Sequence, residues 1–252
     1  MKFTVDAKAF RTALEDVMGG GKYAQSGGVK SGILSEYVYL DMGTTALDLW
    51  NGDGSYINKI TLDITILDDS TRNAVVNIKT LLPFLKKLKE EIEITIYDNV
   101  LISTQDTDIT LPRVTQHPHH EVIQRLLLMD LKLENELPQF NGVSFEGKFD
   151  LPVSVFKDAI ERCELIGTGV YKIDWNVKNI NELKISSSVT GVKEYITTVE
   201  VSNGFGDSAT VCFTGPLHRF FDNGDITFYV KDEFPILIVG EDRLLVKVPH
   251  ME

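Results

Sequence analysis

Positive charge is what this chain has least of: 25 Lys and Arg stand against 37 Asp and Glu, a formal net charge of −12 over 252 residues. Taken as a sum, that balance argues against nucleic acid as a partner. Cysteine is scarce as well. Cys163 and Cys212 are the only two, too few for a disulfide framework, and both fall at predicted core-facing positions, so they are expected to be reduced packing residues. Hydrophobic residues make up 43% of the chain, yet no apolar run approaches the ~18 residues that a membrane-spanning helix needs. The opening MKFTVDAKAF carries no apolar signal core, so the chain is expected to stay where it is made, in cytoplasm or nucleoid, or in the nucleus of a eukaryote. Catalytic signatures are missing too: there is no HExxH, no GxSxG and no CxxC. The acids Asp222, Asp225, Asp232 and Glu233 sit in turn-like contexts that suit capping or solvation better than metal binding. Gly19 to Gly28, GGGKYAQSGG, has neither the preceding strand nor the GKS/GKT ending of a phosphate cradle and reads as a loop. A non-enzymatic protein without metal or cofactor is the expectation.

What is present is a repeat. FTVDAKAFRTALEDV at Phe3 to Val17 is restated as FDLPVSVFKDAIERC at Phe149 to Cys163, an offset of 146. In register, Phe10 meets Phe156, Arg11 meets Lys157, Ala13 meets Ala159, Leu14 meets Ile160 and Glu15 meets Glu161. Both copies read as an extended lead-in followed by a short amphipathic helix. A second pair closes each half, Ala74 to Pro112 and Ala209 to Pro249. There Val76 answers Val211, Ile78 answers Phe213, Leu82 answers Leu217 and Leu85 answers Phe220 at an offset of 135, and Pro112 answers Pro249 at 137. Each half thus reads helix, strands, second helix, strands, as in a duplicated domain. The length suits two domains of about 120 residues, each able to bury a core.

Between the helices, Tyr37 to Leu40, Ala46 to Trp50 and Ser55 to Ile66 are rich in Val, Ile, Tyr and Thr and are predicted strands. Asp41 to Thr45, Asn51 to Gly54 and Asp68 to Asn73 carry the Gly, Asp, Asn and Thr of turns. HPHHEVIQRLLLMDLKLENELPQ at His117 to Gln139 repeats nowhere and must join the halves, giving domains 1–116 and 140–252 with 117–139 as connector. Its HPHH has no matching Cys or His cluster and reads as solvent-exposed rather than as a metal site. Its Leu126, Leu127, Leu128, Met129, Leu131 and Leu133 are more apolar than a surface linker needs, so the segment either lies on a sheet or meets a partner.

Basic residues gather locally in this acidic chain. Lys79, Lys86, Lys87 and Lys89 occur between Asn77 and Lys89 without one acid. At helical spacing Lys79, Lys86 and Lys87 share one side while Leu81, Leu85 and Leu88 share another. A solvated helix face would explain one such stripe. The other predicted helices repeat it, with Lys8 and Arg11 in the first, Lys157 and Arg162 in the third, and His218 and Arg219 in the fourth.

LLLMDLKLENELP resembles the interdomain connector of ring-shaped DNA sliding clamps of the proliferating cell nuclear antigen type, and KDEFPILI with LLVKVPHME resembles that family's last strands and tail. KFTVDAKAFRTALEDV, VVNIKTLLPFLKKL and the closing TLP also look like a first domain of the bacterial beta clamp, whose chains have three such domains to the two here. The segment around Ala46 to Tyr56 departs from the family, and Val246 replaces the aromatic that commonly precedes the tail proline. The resemblance implies an α+β fold of two duplicated clamp domains, each with two helices packed on antiparallel sheets. It implies a homotrimer closed into a ring, with the basic helix faces on sequence-independent double-stranded DNA. It also implies capture of DNA polymerase, a clamp loader and other motif-bearing proteins in an apolar pocket. Carried over position by position, that pocket would take Met42, Leu47, Leu126, Leu128, Met129, Leu131, Pro235, Val246 and Pro249, with His250 and Met251 offering tail backbone. The other reading is a polymerase accessory protein of the same fold that holds DNA without encircling it.

Overall fold

A computed structural model describes residues 1–18, 36–52, 55–114, 131–166, 169–179, 181–189, 193–215 and 217–250. Its internal contacts divide the chain into two compact units, Met1–Leu127 and Leu128–Glu252. The loop predicted at Gly19 to Gly28 and the histidines of HPHH lie outside the described residues.

In the first unit β1 (Lys2–Asp6) alternates in burial and runs straight into α1 (Ala7–Val17). Asp6 makes that switch: in extended conformation its carboxylate accepts the N–H of Ala9 at 2.7 Å and caps the helix. Then come β2 (Tyr37–Met42), β3 (Ala46–Gly52), β4 (Tyr56–Asp63), β5 (Thr65–Asp68) and β6 (Asn73–Asn77). α2 (Ile78–Leu85) is capped by Asn77 and holds Pro83. It leads to β7 (Glu91–Ile96), β8 (Asn99–Ser103) and β9 (Asp108–Pro112). Antiparallel pairing sets one group of strands in the order β5, β1, β7, β8, β9, and a second in the order β4, β3, β2, β6.

The second unit repeats this order. After a small hairpin of β10 (Gln139–Phe140) and β11 (Val143–Ser144) come β12 (Gly147–Pro152) and α3 (Val153–Glu164). β13 (Val170–Trp175), β14 (Glu182–Val189), β15 (Lys193–Glu200), β16 (Ser202–Gly206) and β17 (Ala209–Thr214) follow. β18 (Asp225–Val230), β19 (Ile236–Val239) and β20 (Arg243–Lys247) complete it. The pairing orders are β16, β12, β18, β19, β20 and β15, β14, β13, β17. Strand for strand these are the orders of the first unit, so the α+β duplication predicted from sequence is the architecture.

The sequence register carries over to the cores. Phe3 lies opposite Ile94, and its counterpart Phe149 lies opposite Phe228; Phe10 and Phe156, on the following helices, are both buried. The second core is the more aromatic. The rings of Phe149 and Phe228 stack at 5.1 Å, Phe156 meets Phe228 edge-on at 5.1 Å, and Trp175 lies 5.6 Å from Phe149. Trp175 occupies the position of Leu40 in the first unit, since each pairs with an alanine of the neighbouring strand, Ala209 and Ala74. The larger ring fits because residue 147 is glycine: a Cβ there would come within 2.6 Å of Trp175 Cζ3 and 2.7 Å of the Asp207 carbonyl.

Three local expectations are corrected. The run Ser55 to Ile66 is not one strand but two, broken at Ile64, with β4 and β5 joining different strand groups. Asp41, Met42, Asn51 and Gly52 extend strands rather than forming turns. The fourth helix is only a 3-10 turn, Leu217–Arg219. Gly215 sits at φ +88°, a left-handed conformation no helix accommodates, and Pro216 follows it in sequence.

Gly147→Ala is expected to destabilise the protein by about 1–3 kcal/mol through overpacking, read from urea denaturation. Pairing it with Trp175→Leu should cost less than the sum of the two single changes, because the methyl then meets a smaller neighbour. An additive double variant would show that the two residues do not share space.

Candidate functional site

In the first unit α1 packs against α2, β3 and β4, so the outer sides of the two helices form one layer. Burial follows the apolar stripe: Phe10, Ala13, Leu14 and Val17 of α1 and Ile78, Leu81 and Leu85 of α2 are covered. Lys8, Lys79, Lys86, Lys87 and Lys89 are exposed and Arg11 is half-buried. α2 stops at Leu85, so Lys86 and Lys87 follow it at the end where the helix dipole favours cations. Some of this charge is already engaged. Lys79 is ion-paired with Glu36, and Lys86 Nζ lies 3.8 Å from a carboxylate oxygen of Glu15 on α1. Lys8, Lys87 and Lys89 have no acidic partner among the described residues.

The second unit uses the cations of its predicted helices internally. Lys157 of α3 donates to the Asp222 carbonyl at 3.0 Å. Arg162 is 2.6 Å from Asp158 one turn earlier, and its guanidinium is held in the charged form by a hydrogen bond to Tyr195 and by that carboxylate. Arg219 lies 3.3 Å from Glu164. Arg243, almost wholly buried, donates to the Phe220 carbonyl at 2.6 Å and to Asp222 at 2.5 Å. The chain between Leu217 and Asp222 is therefore fastened to α3 and to β20.

His218 departs from expectation. It is only 1% exposed, and neither ring nitrogen has a hydrogen-bond partner among the described residues. In a single 3-10 turn that buries Leu217, Phe220 and Phe221, only Arg219 is left outside. Burial, with Arg219 and Lys157 nearby, pushes the imidazole down to about 4, so at neutral pH it is uncharged and offers nothing to a phosphate.

The partner-site residues also divide. Met42 and Leu47 face each other across β2 and β3, and both are buried. Val246 is buried as well. Leu126, Leu128, Met129 and Met251 lie outside the described residues. Leu131, Pro235 and Pro249 are half-buried and His250 is exposed. The His250 N–H is not on offer, because it donates to the Cys212 carbonyl at 2.7 Å and ties the tail to β17.

Sequence reasoning missed an aromatic cluster beside this region. Phe145 lies 5.4 Å from Phe234 and 6.2 Å from Tyr229, and Phe140 on the hairpin lies 6.2 Å from Phe234. The signal was available: Asn141 and Gly142 both adopt positive φ, 51° and 75°, the two-residue turn that an Asn-Gly pair announces. Of the acids in turns, Asp222 takes Arg243 and Asp232 accepts the Thr210 N–H at 2.6 Å. Among the described residues no three His, Cys, Asp or Glu converge as metal ligands, and no helix is long and apolar enough to cross a membrane.

Because the folded His218 takes up a proton less readily than an unfolded imidazole of pKa ~6.5, its contribution is complete above about pH 6.5 and is lost as pH falls towards 4. Melting curves should show a loss of about 3 kcal/mol between pH 7 and pH 4 that His218→Leu largely removes. Identical pH profiles for parent and variant would exclude His218 as the source.

No family model matches the chain, and no curated protein matches it. Solved structures do. The beta subunit of DNA polymerase III from Thermotoga maritima superposes over 100% of this chain and 66% of its own, with a TM-score of 0.71 at 15% identity. The DNA polymerase sliding clamp of Bacillus subtilis gives 0.74 at 13% identity, over 100% and 64%. A. fulgidus PCNA, solved with the C-terminal region of FEN-1, gives 0.70 at 12% identity, over 100% and 98%. The chain thus spans about two thirds of the length of these bacterial clamps and nearly all of the archaeal one. Two units of identical strand order, matched over the whole chain by clamps of both kinds, establish that this protein has the sliding-clamp fold.

Proposed function

We propose that the chain is a DNA sliding clamp, a non-enzymatic processivity factor that closes as a homotrimeric ring around duplex DNA and tethers a polymerase and other replication or repair proteins to it. The observation that carries this reading is the duplicated unit matched along its full length, together with an end-to-end match to A. fulgidus PCNA. Residues 117–139 serve as the connector between units. A clamp loader is the expected partner for placing the ring on DNA, and the compartment is that of replication.

Strand edges supply the joints. β9 and β15 each stand at the end of their strand order, and unpaired edges must be covered or they invite aggregation. β15 also carries Ile196 outward, more than half exposed. Pairing β9 of one copy with β15 of the next is head-to-tail and closes into a ring. Light scattering at micromolar concentration should give about three times the 28.2 kDa of one chain. A strict monomer would favour the accessory protein that holds DNA without encircling it.

The first unit's layer of Lys8, Arg11, Lys79, Lys86, Lys87 and Lys89 is the proposed DNA face, with Lys157, Arg162 and Arg219 as its weaker equivalent in the second unit. Exposed cations on phosphates give sequence-independent contact that competes with salt. Processivity then comes from topology and from the raised effective concentration of a tethered enzyme. Replacing Lys79, Lys86 and Lys87 with Ala should leave the melting temperature unchanged, lower processivity, and reduce the log–log salt slope of DNA binding by up to about 3. An unchanged slope would reduce the stripe to a solvated surface.

A further inference from the structure

Four Asn-Gly pairs stand in the chain, at 51–52, 141–142, 203–204 and 223–224. The pair is chemically unusual, because glycine puts no side chain in the way when its own peptide nitrogen attacks the asparagine amide before it. Folding decides which pairs can react. Asn51 is buried in β3, donates Nδ2 to the Tyr37 carbonyl at 2.8 Å and accepts the Tyr56 hydroxyl at 2.9 Å. Asn203 lies in β16 at φ 51° and donates Nδ2 to Asp150 at 2.6 Å. Asn141 is set at φ 51° in the closed turn of the β10–β11 hairpin. Asn223 has no such hold. It is exposed in the bend before β18, and neither its side chain nor the Gly224 N–H has a hydrogen-bond partner among the described residues. A Cβ on Gly224 would meet nothing within 4 Å, so the space in which a ring must close is open.

The duplication offers an internal control on what the fold needs at this place. Pro152 lies opposite Asp225 and Asp6 opposite Glu91, so Asn223 and Gly224 answer Lys89 and Glu90. Both places make the same backbone bond to the first residue of a helix, from the Val153 N–H to the Gly224 carbonyl at 2.9 Å and from the Ala7 N–H to the Glu90 carbonyl at 3.1 Å. That bond therefore requires neither asparagine nor glycine. The second unit adds another fastening, Lys157 Nζ on the Asp222 carbonyl at 3.0 Å. Asn223 is thus the single residue between two carbonyls that hold α3.

We propose that Asn223 is a site of spontaneous covalent modification, converted through a succinimide to aspartate and isoaspartate, and that the isoaspartate loosens the start of α3. The Gly224 peptide nitrogen gives up its proton and bonds to Asn223 Cγ, while the bond from Cγ to Nδ2 breaks and ammonia leaves. Water then opens the ring at either carbonyl, and nothing is oxidised or reduced. In isoaspartate the main chain runs through the former side chain and is longer by one methylene, so the Asp222 and Gly224 carbonyls can no longer both keep their partners on α3. Either product also puts a new carboxylate between Asp222 and Asp225. In the clamp reading above, on which this last step rests, that charge weakens the second unit's share of phosphate contact.

The test uses the full chain, aged in mildly alkaline buffer, where the peptide nitrogen gives up its proton more readily. Peptide mapping should show Asn223 converting at least about tenfold faster than Asn51, Asn141 and Asn203, each of which waits on local opening, and Asn223→Gln should remove the product. Amide exchange at Val153 should be at least about tenfold faster in converted than in fresh protein, with Ala7 unchanged. Conversion at Asn223 no faster than at the other three would overturn the site, and unchanged Val153 protection after conversion would overturn the loosening. DNA affinity that falls on ageing in the parent but holds in Asn223→Gln would support the last step. A chain that binds no DNA, fresh or aged, would remove the clamp reading and leave the modification standing on its mapping.

Discussion

The register of one central strand governs each unit. β1 has a neighbour on both sides and turns directly into α1; β12 does the same before α3. With Phe3 and Phe149 turned inward, the following helix begins where its own Phe10 or Phe156 can meet the same core. Slipping either strand by one residue would bring Lys2 or Lys148 inside and send the phenylalanine out. Because the register is so strongly fixed, the volumes behind it could diverge. Around Phe3 and Phe10 the first core is filled mainly with Ile, Leu and Val, while the second admits Phe228 and Trp175 and answers the larger ring with Gly147.

Much of this frame is legible in the sequence because the hydrophobic period changes from two to nearly four where strand meets helix, and because the change occurs twice at a fixed offset. What escapes the sequence depends on partners far along the chain. Nothing at Ile64 marks a break: the run contains no Gly or Pro, and only the pairing of Ala46 with Asp63, against that of Phe3 with Ile66, separates β4 from β5. The spacing of Leu217, Phe220 and Phe221 imitates a helix, while Gly215 forbids one. For the site, the exposure of the lysines was readable but their freedom was not. Glu36 faces Lys79 from 43 positions away, Glu164 faces Arg219 from 55, and His218 looked polar while its turn carried it inward.

These ion pairs qualify how the proposed DNA face would work. An exposed pair contributes little to stability, but an acid beside a lysine lowers what that lysine can gain from a phosphate. Helix cations committed to neighbours in the second unit, and only partly so in the first, would give few and shallow contacts, and the net charge of −12 opposes any stronger hold. For a tether whose retention comes from closure rather than affinity, shallow contact is an advantage, since deep contact would add friction to sliding. The distribution of pairs therefore bears on the proposed function more closely than the count of basic residues.

Duplication also bears on the direction of the proposed joint between copies. β9 and β15 are not counterparts in the repeat, since β9 answers β20 and β15 answers β4, so pairing them between copies is heterologous rather than isologous. The two edges also differ in length and composition. β9 has five residues and ends in Pro112, whose missing N–H limits what can be added beside it. β15 has eight residues and shows Glu194, Ile196, Thr198 and Glu200 on its exposed side. A short edge matched to part of a long one fixes direction and offset together. Each proposed joint then repeats the last, and the rotation at each joint decides between the proposed ring and an open filament.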